Sequence, residues 1–246
     1  MTEQTSAASS PSSSDLHRSN RLLGALSDAV LDRLDSHLAV VDMKKEESVF
    51  QAREPADQVL FPHTGVVSMI AMDAHGEAVE IATIGCEGMT GLPIVLGGET
   101  MCNSAFVQIP GRASKIKSGA FERAVETIPE FKRLMLRYVL AMITQITQNA
   151  ACNQLHAIDR RCARWLLTAH DRVSGDIFEL TQEYLAMMLG VTRPSVSAAA
   201  SALQGEGMIR YSRGRVTVVD RKSLEAACCE CYRLIEDEFD RLRAPD

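Results

Sequence analysis

The stretch that decides the fold is LTQEYLAMMLGVTRPSVSAAASAL, residues 180–203. Thr181 stands where a helix N-cap belongs, Glu183 puts an acid into the first turn, and Leu185, Met188 and Leu189 return at helical spacing. Gly190 can take the left-handed backbone that ends a helix. Val191 plugs the corner, and Thr192 then caps a second helix with Pro194 in its first turn. The reading is helix, tight turn, helix. At about 100° per residue, Val196, Ala199, Ala200 and Leu203 gather on one side of the second helix, while Pro194, Ser197, Ala198 and Ser201 face the other. An ordinary surface helix carries Glu and Lys outward; this one carries small uncharged side chains behind a single cation, Arg193. So bare a face lets a rigid surface approach the backbone, and the major groove of DNA is such a surface. Burial of an alanine-rich helix in a bundle is the competing reading, but it leaves the next segment unexplained. MIRYSRGRVTVVD, residues 208–220, reads as two β-prone runs around a turn, a wing with Arg213 and Arg215 at its tip, suited to phosphates.

Charge supports that placement. The chain has 246 residues and a formal net charge of −6, which speaks against an indiscriminate polyanion binder. Residues 156–222, however, carry 10 Lys/Arg against 7 Asp/Glu, whereas residues 1–155 and 223–246 are both acidic. A composition 46% hydrophobic and 24% charged is that of a folded protein, and no apolar run approaches the ~18–20 residues of a membrane span. A soluble, cytoplasmic protein without membrane association is expected. Residues 1–20 open with MTEQTSAASSPSSSD, which lacks the basic and apolar segments of a signal peptide and reads as a disordered tail. Seven scattered cysteines form no disulfide framework, in keeping with a reducing compartment.

The remaining segments give an α+β chain. Leu22, Leu23, Leu26, Val30, Leu31 and Leu34 predict a lead-in helix over 21–36. Between about 38 and 117, short β-rich runs such as QVLFP, VVSMIAM and AVEIATIG alternate with turn signals, predicting a β-roll or barrel within a domain spanning 21–126. From Glu130 to Arg172 there is neither Gly nor Pro, and a long helix over 127–155 is expected. On it Phe131, Met135, Tyr138, Met142, Gln145 and Asn149 recur at heptad spacing, a seam that invites a partner helix and a homodimer. The alternative is that this stripe packs on the chain's own β-roll. A second helix over 157–171 opens a DNA-binding domain spanning 156–246 and including a C-terminal helix.

The order of β-roll, long helix, TQEYLAMMLGVTRPSVS and basic wing resembles the CRP/FNR superfamily of bacterial transcription regulators over roughly residues 20–222. The resemblance implies a cyclic-nucleotide-binding-like roll, a homodimer joined through the long helix, a winged helix–turn–helix on double-stranded DNA, and RNA polymerase as a further partner. It matches Arg193 to the guanine-reading arginine that opens the family's recognition helix. Pro194 stands where many members have a glutamate, and Ala198 where they have a second arginine, so a different operator is expected. Arg193, Ser195, Ser197, Ala198 and Ser201 are the expected base readers, and Thr181, Gln182, Thr192, Arg213 and Arg215 the phosphate contacts.

The family's cyclic AMP binders use a Gly-Glu pair for ribose and an Arg-Ser pair for phosphate. The corresponding positions here are Gly88, Met89, Asn103 and Ser104, so a cyclic AMP effector is not expected. The cofactor is left unknown: Cys86, His75 and His63 suit haem in type, but no spacing singles them out. CCEC, residues 228–231, is read as helical, with Cys228 and Cys231 sharing a face and Cys229 turned away; small buried hydrophobes are preferred to a metal or redox site, and no metal ligands are assigned. No nucleophile–base pair, P-loop or zinc signature is present, so catalysis is not expected. A ligand-binding adaptor that does not act on DNA is the competing class.

Overall fold

Short strands in the first half of the chain, several of them buried over most of their length, fold back and forth into two antiparallel sheets. The computed structural model describes residues 13–242. Three short helices lead in: α1 (Ser13–His17), α2 (Arg21–Gly24) and α3 (Asp28–Asp35). Strands β1 (Ala39–Met43), β2 (Ser48–Phe50), β3 (Gln58–Pro62), β4 (Val66–Met72) and β5 (Ala78–Ile84) follow, then the single turn α4 (Leu92–Val95), β6 (Ser104–Ile109) and β7 (Gly111–Lys117). One sheet has the order β1-β7-β3 and the other β2-β6-β4-β5. Pairing of β1 with β7, far apart in sequence, closes the roll. Val59, Phe61, Val67, Ala82, Ile84 and Val107 fill it.

Two expectations change here. The lead-in helix is broken at residues 25–27, where the backbone N–H and hydroxyl of Ser27 both donate to the Glu130 carboxylate, at 2.7 and 2.8 Å. All six apolar residues of its stripe are nevertheless buried. The tail expected over 1–20 does not extend to its end: His17 and Asn20 are buried, His17 Nδ1 lies 2.5 Å from the Ser114 hydroxyl, and Asn20 caps α2 while donating to the carbonyls of Pro62 and Gly88. Residues 1–12 of that expectation lie outside the described residues.

Helix α5 (Ser118–Thr127) leads into α6 (Pro129–Leu155), 27 residues long with proline in its first turn. The second half then runs α7 (Ile158–His170), β8 (Ile177–Glu179), α8 (Gln182–Leu189), α9 (Arg193–Gly205), β9 (Ile209–Ser212), β10 (Arg215–Val218), α10 (Arg221–Ala227) and α11 (Cys231–Arg241). Trp165, Leu166, Phe178, Leu185, Met188, Leu189, Val196, Leu203 and Val216 form its own core, which takes in Val66 and Ile109 of the roll. Helix α11 turns back onto α6 and places Ile235 and Phe239 in the first core. No described helix is long and apolar enough to cross a membrane.

Trp165 joins the halves by donating its indole N–H to Glu80 Oε1 at 2.8 Å, while Ser68 donates to Oε2 at 2.7 Å. Burial pushes the Glu80 carboxyl up to about 7, against the pull of these two hydrogen bonds. A carboxyl whose pKa is higher folded than unfolded keeps its proton longer in the native state, so stability falls as pH rises from about 4.5 to about 7. Glu80→Gln keeps a polar side chain that cannot ionise. It should raise the urea midpoint at pH 8 and leave it nearly unchanged at pH 4.5; an equal shift at both would place the pH dependence elsewhere.

Candidate nucleic-acid interface

Helix α8 begins as its sequence requires: the Thr181 hydroxyl accepts the Tyr184 N–H at 3.2 Å. It ends at Gly190, whose φ of 61° is the left-handed turn only glycine adopts without penalty. At the start of α9 the Thr192 and Ser195 hydroxyls lie 3.0 Å apart and share a hydrogen bond. Val196, Ala199, Ala200 and Leu203 are buried, whereas Arg193, Pro194, Ala198 and Ser201 are exposed and Ser195 and Ser197 half-buried. The small, uncharged face is therefore open to solvent.

Beside it stands the wing. Strands β9 and β10 pair antiparallel around a two-residue turn with Arg213 at φ 51° and Gly214 at φ 73°. The third strand, β8, pairs with the other edge of β10 and was not expected from the sequence, being only three residues long. Thr181, Gln182, Arg193 and Arg213 meet around one cleft of about 360 Å³, together with Glu183, Tyr211 and Ser212. Arg215 and Arg210 line an adjoining cleft of about 640 Å³ with Lys45 from the roll. Arg193 pairs with Glu183 at 2.9 Å and Arg215 with Glu179 at 3.8 Å, both in solvent, where such pairs contribute little and yield readily to a polyanion. Tyr211 and Lys45 were missed: neither lies in the helix–turn–helix pattern, and only the fold brings Lys45 to the wing.

A second concavity lies between the roll and α6. It measures about 540 Å³ and is lined by Phe50, Met69, Ile84, Met89, Met101 and Ile146 among others, with α4 and the following glycines as its rim. Among the described residues no lysine or arginine lines it, and Glu99 is the one charged side chain that does.

Two family models match this chain, the cyclic nucleotide-binding domain over residues 40–127 and the Crp-like helix-turn-helix domain over residues 160–227. The chain belongs to the CRP/FNR superfamily. It is similar to a CRP-like cAMP-activated global transcriptional regulator of Mycobacterium tuberculosis, 23% identical over 78% of this chain and 88% of that protein. Its fold is similar to FixK2 from Bradyrhizobium japonicum, with TM-score 0.67 and 19% identity over 78% of this chain and 98% of that one. It is likewise similar to the c-di-GMP responsive global regulator CLP of Xanthomonas campestris, with TM-score 0.60 and 16% identity over 78% and 99%. The chain is thus a CRP-like transcription regulator with a helix–turn–helix DNA-binding domain.

Within this CRP/FNR frame the four pocket residues separate. Met89 and Asn103 line the cavity. Gly88 instead packs against the Tyr138 hydroxyl, and the Ser104 hydroxyl accepts the Ala52 N–H at 3.0 Å and reaches Gln51 Oε1 at 3.4 Å, and neither lines the cavity. His63 is buried beside Ser114, and its pKa is lowered to about 4 chiefly by burial, while His75 sits exposed in the β4–β5 turn, so these two do not converge.

The dimer seam requires correction. Phe131, Met135, Tyr138, Met142 and Gln145 are buried against the chain's own roll and α11, and Asn149 is half-buried, donating to the Ile81 carbonyl at 3.0 Å and accepting from Arg164 at 2.8 Å. The Tyr138 hydroxyl donates to the Met89 carbonyl at 2.8 Å. The apolar stripe left open is the opposite one: Leu136, Leu140 and Ile143 are 45%, 57% and 50% exposed. Two stripes with the same 4-3 spacing lie on one helix, and the aromatic one belongs to the core.

The α8–α9 corner can be tested through Gly190. Gly190→Ala puts a side chain into left-handed backbone and its Cβ 3.3 Å from Val79 of the roll. It should cost about 1–2 kcal/mol in chemical denaturation; a loss below roughly 0.5 kcal/mol, the scale of an ordinary surface substitution, would mean that the corner tolerates a side chain.

Proposed function

We propose that the chain acts in the cytoplasm as a homodimer that binds a palindromic double-stranded DNA site. The observation that carries this reading is the solvent-open, uncharged face of α9, led by Arg193 and flanked by the basic wing. Two copies of α9 enter successive major grooves about 34 Å apart. Arg193 reads guanine, Ser195, Ser197 and Ser201 contact base edges, and the Ala198 methyl group meets a thymine methyl. Thr181, Gln182, Thr192, Arg213 and Arg215 fix register on the phosphates. The Arg193–Glu183 pair is exchanged for DNA on binding. RNA polymerase as a partner rests on the resemblance alone.

The dimer forms along Leu136, Leu140, Ile143 and Thr147, which follow a 4-3-4 spacing on the open face of α6. Any effector is chemically unlike cyclic AMP, since a buried phosphate needs a cation and the described residues of the cavity beside α6 offer none.

Fluorescence anisotropy against a randomised promoter library, repeated over a salt series, tests the DNA reading; no salt-sensitive, sequence-selective binding would favour a ligand-binding adaptor. With a selected site in hand, Arg193→Ala should cost about 1–3 kcal/mol and relax preference at one base of each half-site, whereas Arg213→Ala should weaken all sequences alike and lower the salt slope by roughly 1. Equal loss on every sequence for Arg193→Ala would remove it from base reading. Leu140→Asp should turn the dimer into a monomer in multi-angle light scattering, and a dimer that persists would move the interface off this stripe.

A further inference from the structure

Cys152 and His156 stand one turn apart where α6 ends, Cys229 lies on the connection from α10 to α11, and Cys231 is the first residue of α11. The helical reading of CCEC does not hold. Helix α10 stops at Ala227 and Cys228 is extended, with φ −75° and ψ 169°. That break turns Cys229 and Cys231 inward together, while the Cys228 thiol points instead to the backbone carbonyls of Glu225 and Cys229.

Cys152, Cys229 and Cys231 are almost wholly buried and form a cluster of their own, separate from both apolar cores. Three thiols that merely filled space would merge with the aliphatic side chains of a core. Instead they meet one another and an imidazole. Cys152 Sγ lies 3.5 Å from Cys229 Sγ, Cys231 Sγ lies 3.6 Å from His156 Nδ1, and all four donor atoms fall within 4.8 Å of each other. Donors at the corners of a tetrahedron around zinc, at about 2.3 Å for sulfur, stand about 3.7 Å apart.

We propose that Cys152, His156, Cys229 and Cys231 form a tetrahedral site for a single zinc ion. The ligand set, three sulfurs and one imidazole nitrogen, is the borderline-soft kind that zinc takes in closed structural sites. A cluster of several irons would spread its ligands wider than this group allows. The surroundings complete the arrangement. His156 turns Nε2 toward Glu230 Oε1 at 3.2 Å, the carboxylate contact that orients a metal-ligating histidine. Zinc with three thiolates carries one net negative charge, and the Arg164 and Arg161 guanidiniums lie close enough to interact electrostatically with Cys152.

The place of the site gives the ion its work. His156 is the extended residue that caps the C-terminus of α6, and α7 starts after Ala157, so the ion sits at the corner between the long helix and the DNA-binding domain. It fastens α11 to that corner. Arg161 extends the contact by donating to Asn153 at 2.8 Å and to the carbonyl of Leu189, the last residue of α8.

The test uses the full chain, expressed in zinc-supplemented medium and purified reduced. Elemental analysis should find about one zinc per chain, unchanged in Cys228→Ser and reduced to less than a tenth of that in the double variant Cys229→Ser, Cys231→Ser; a strong chelator should lower the thermal midpoint of the wild type. Wild-type protein that stays free of zinc, or a double variant that keeps it, would overturn the proposal. Iron with sulfide in anaerobically purified protein, or a Cys152–Cys229 disulfide in peptide mapping, would do so too. Should the double variant aggregate, cobalt substitution of the wild type decides: intense tetrahedral thiolate–cobalt absorption supports the site, and the weak spectrum of a six-coordinate ion rejects it.

Discussion

A guanidinium enclosed between the two halves of the chain determines how they sit on each other. Arg172, just past the end of α7, places Nη2 2.6 Å from Glu87 Oε1, donates from Nε to Oε2 at 3.2 Å, and reaches the Thr83 hydroxyl. Burial works against its charge, and the carboxylates of Glu87 and Glu236 outweigh that and hold its pKa up. Its carbonyl accepts the Gly65 N–H at 2.9 Å, so side chain and backbone both grip the roll. Residue 85 has to be glycine for this, since a Cβ there would come within 2.3 Å of the Arg172 stem. A charge so enclosed makes separation of the halves costly, because either ion left behind would lack both its partner and water.

From that fixed junction the long helix acquires two unlike faces. Inward, Phe131, Met135 and Tyr138 belong to the core, and Met142 and Ile146 form a wall of the apolar cavity. Outward, the aliphatic stripe from Leu136 to Ile143 remains open. A molecule in the cavity would thus press on the reverse side of the same helix that bears the stripe. At the far end, Asn149 ties this helix to β5 and α7 together. Packing on one side and exposure on the other lie a single helix diameter apart.

Much of this was legible in the sequence, and the exceptions share a cause. The corner at Gly190, the cap at Thr181, the start of α9 behind Thr192, the buried set from Val196 to Leu203 and the hairpin around Arg213 all follow from local backbone preferences, which a short stretch of sequence displays. The two stripes of α6 share one period, and periodicity cannot say which meets the roll; only the bulk of Tyr138 and Phe131 hinted at it. The break in the lead-in helix depends on Glu130, more than 100 residues away. The meeting of Cys152 and His156 with Cys229 and Cys231 joins segments over 70 residues apart, and CCEC read by itself gave no sign of the other two.

Arg213 merits a last consideration. Left-handed backbone costs an ordinary residue about 1–2 kcal/mol, and glycine or asparagine would fill that turn more comfortably. With arginine there, the bend of the backbone at the loop tip is held by the two strands that pair on either side of it. What folding settles is the anchor: the exposed guanidinium swings on its own flexible stem from a backbone point that is already set.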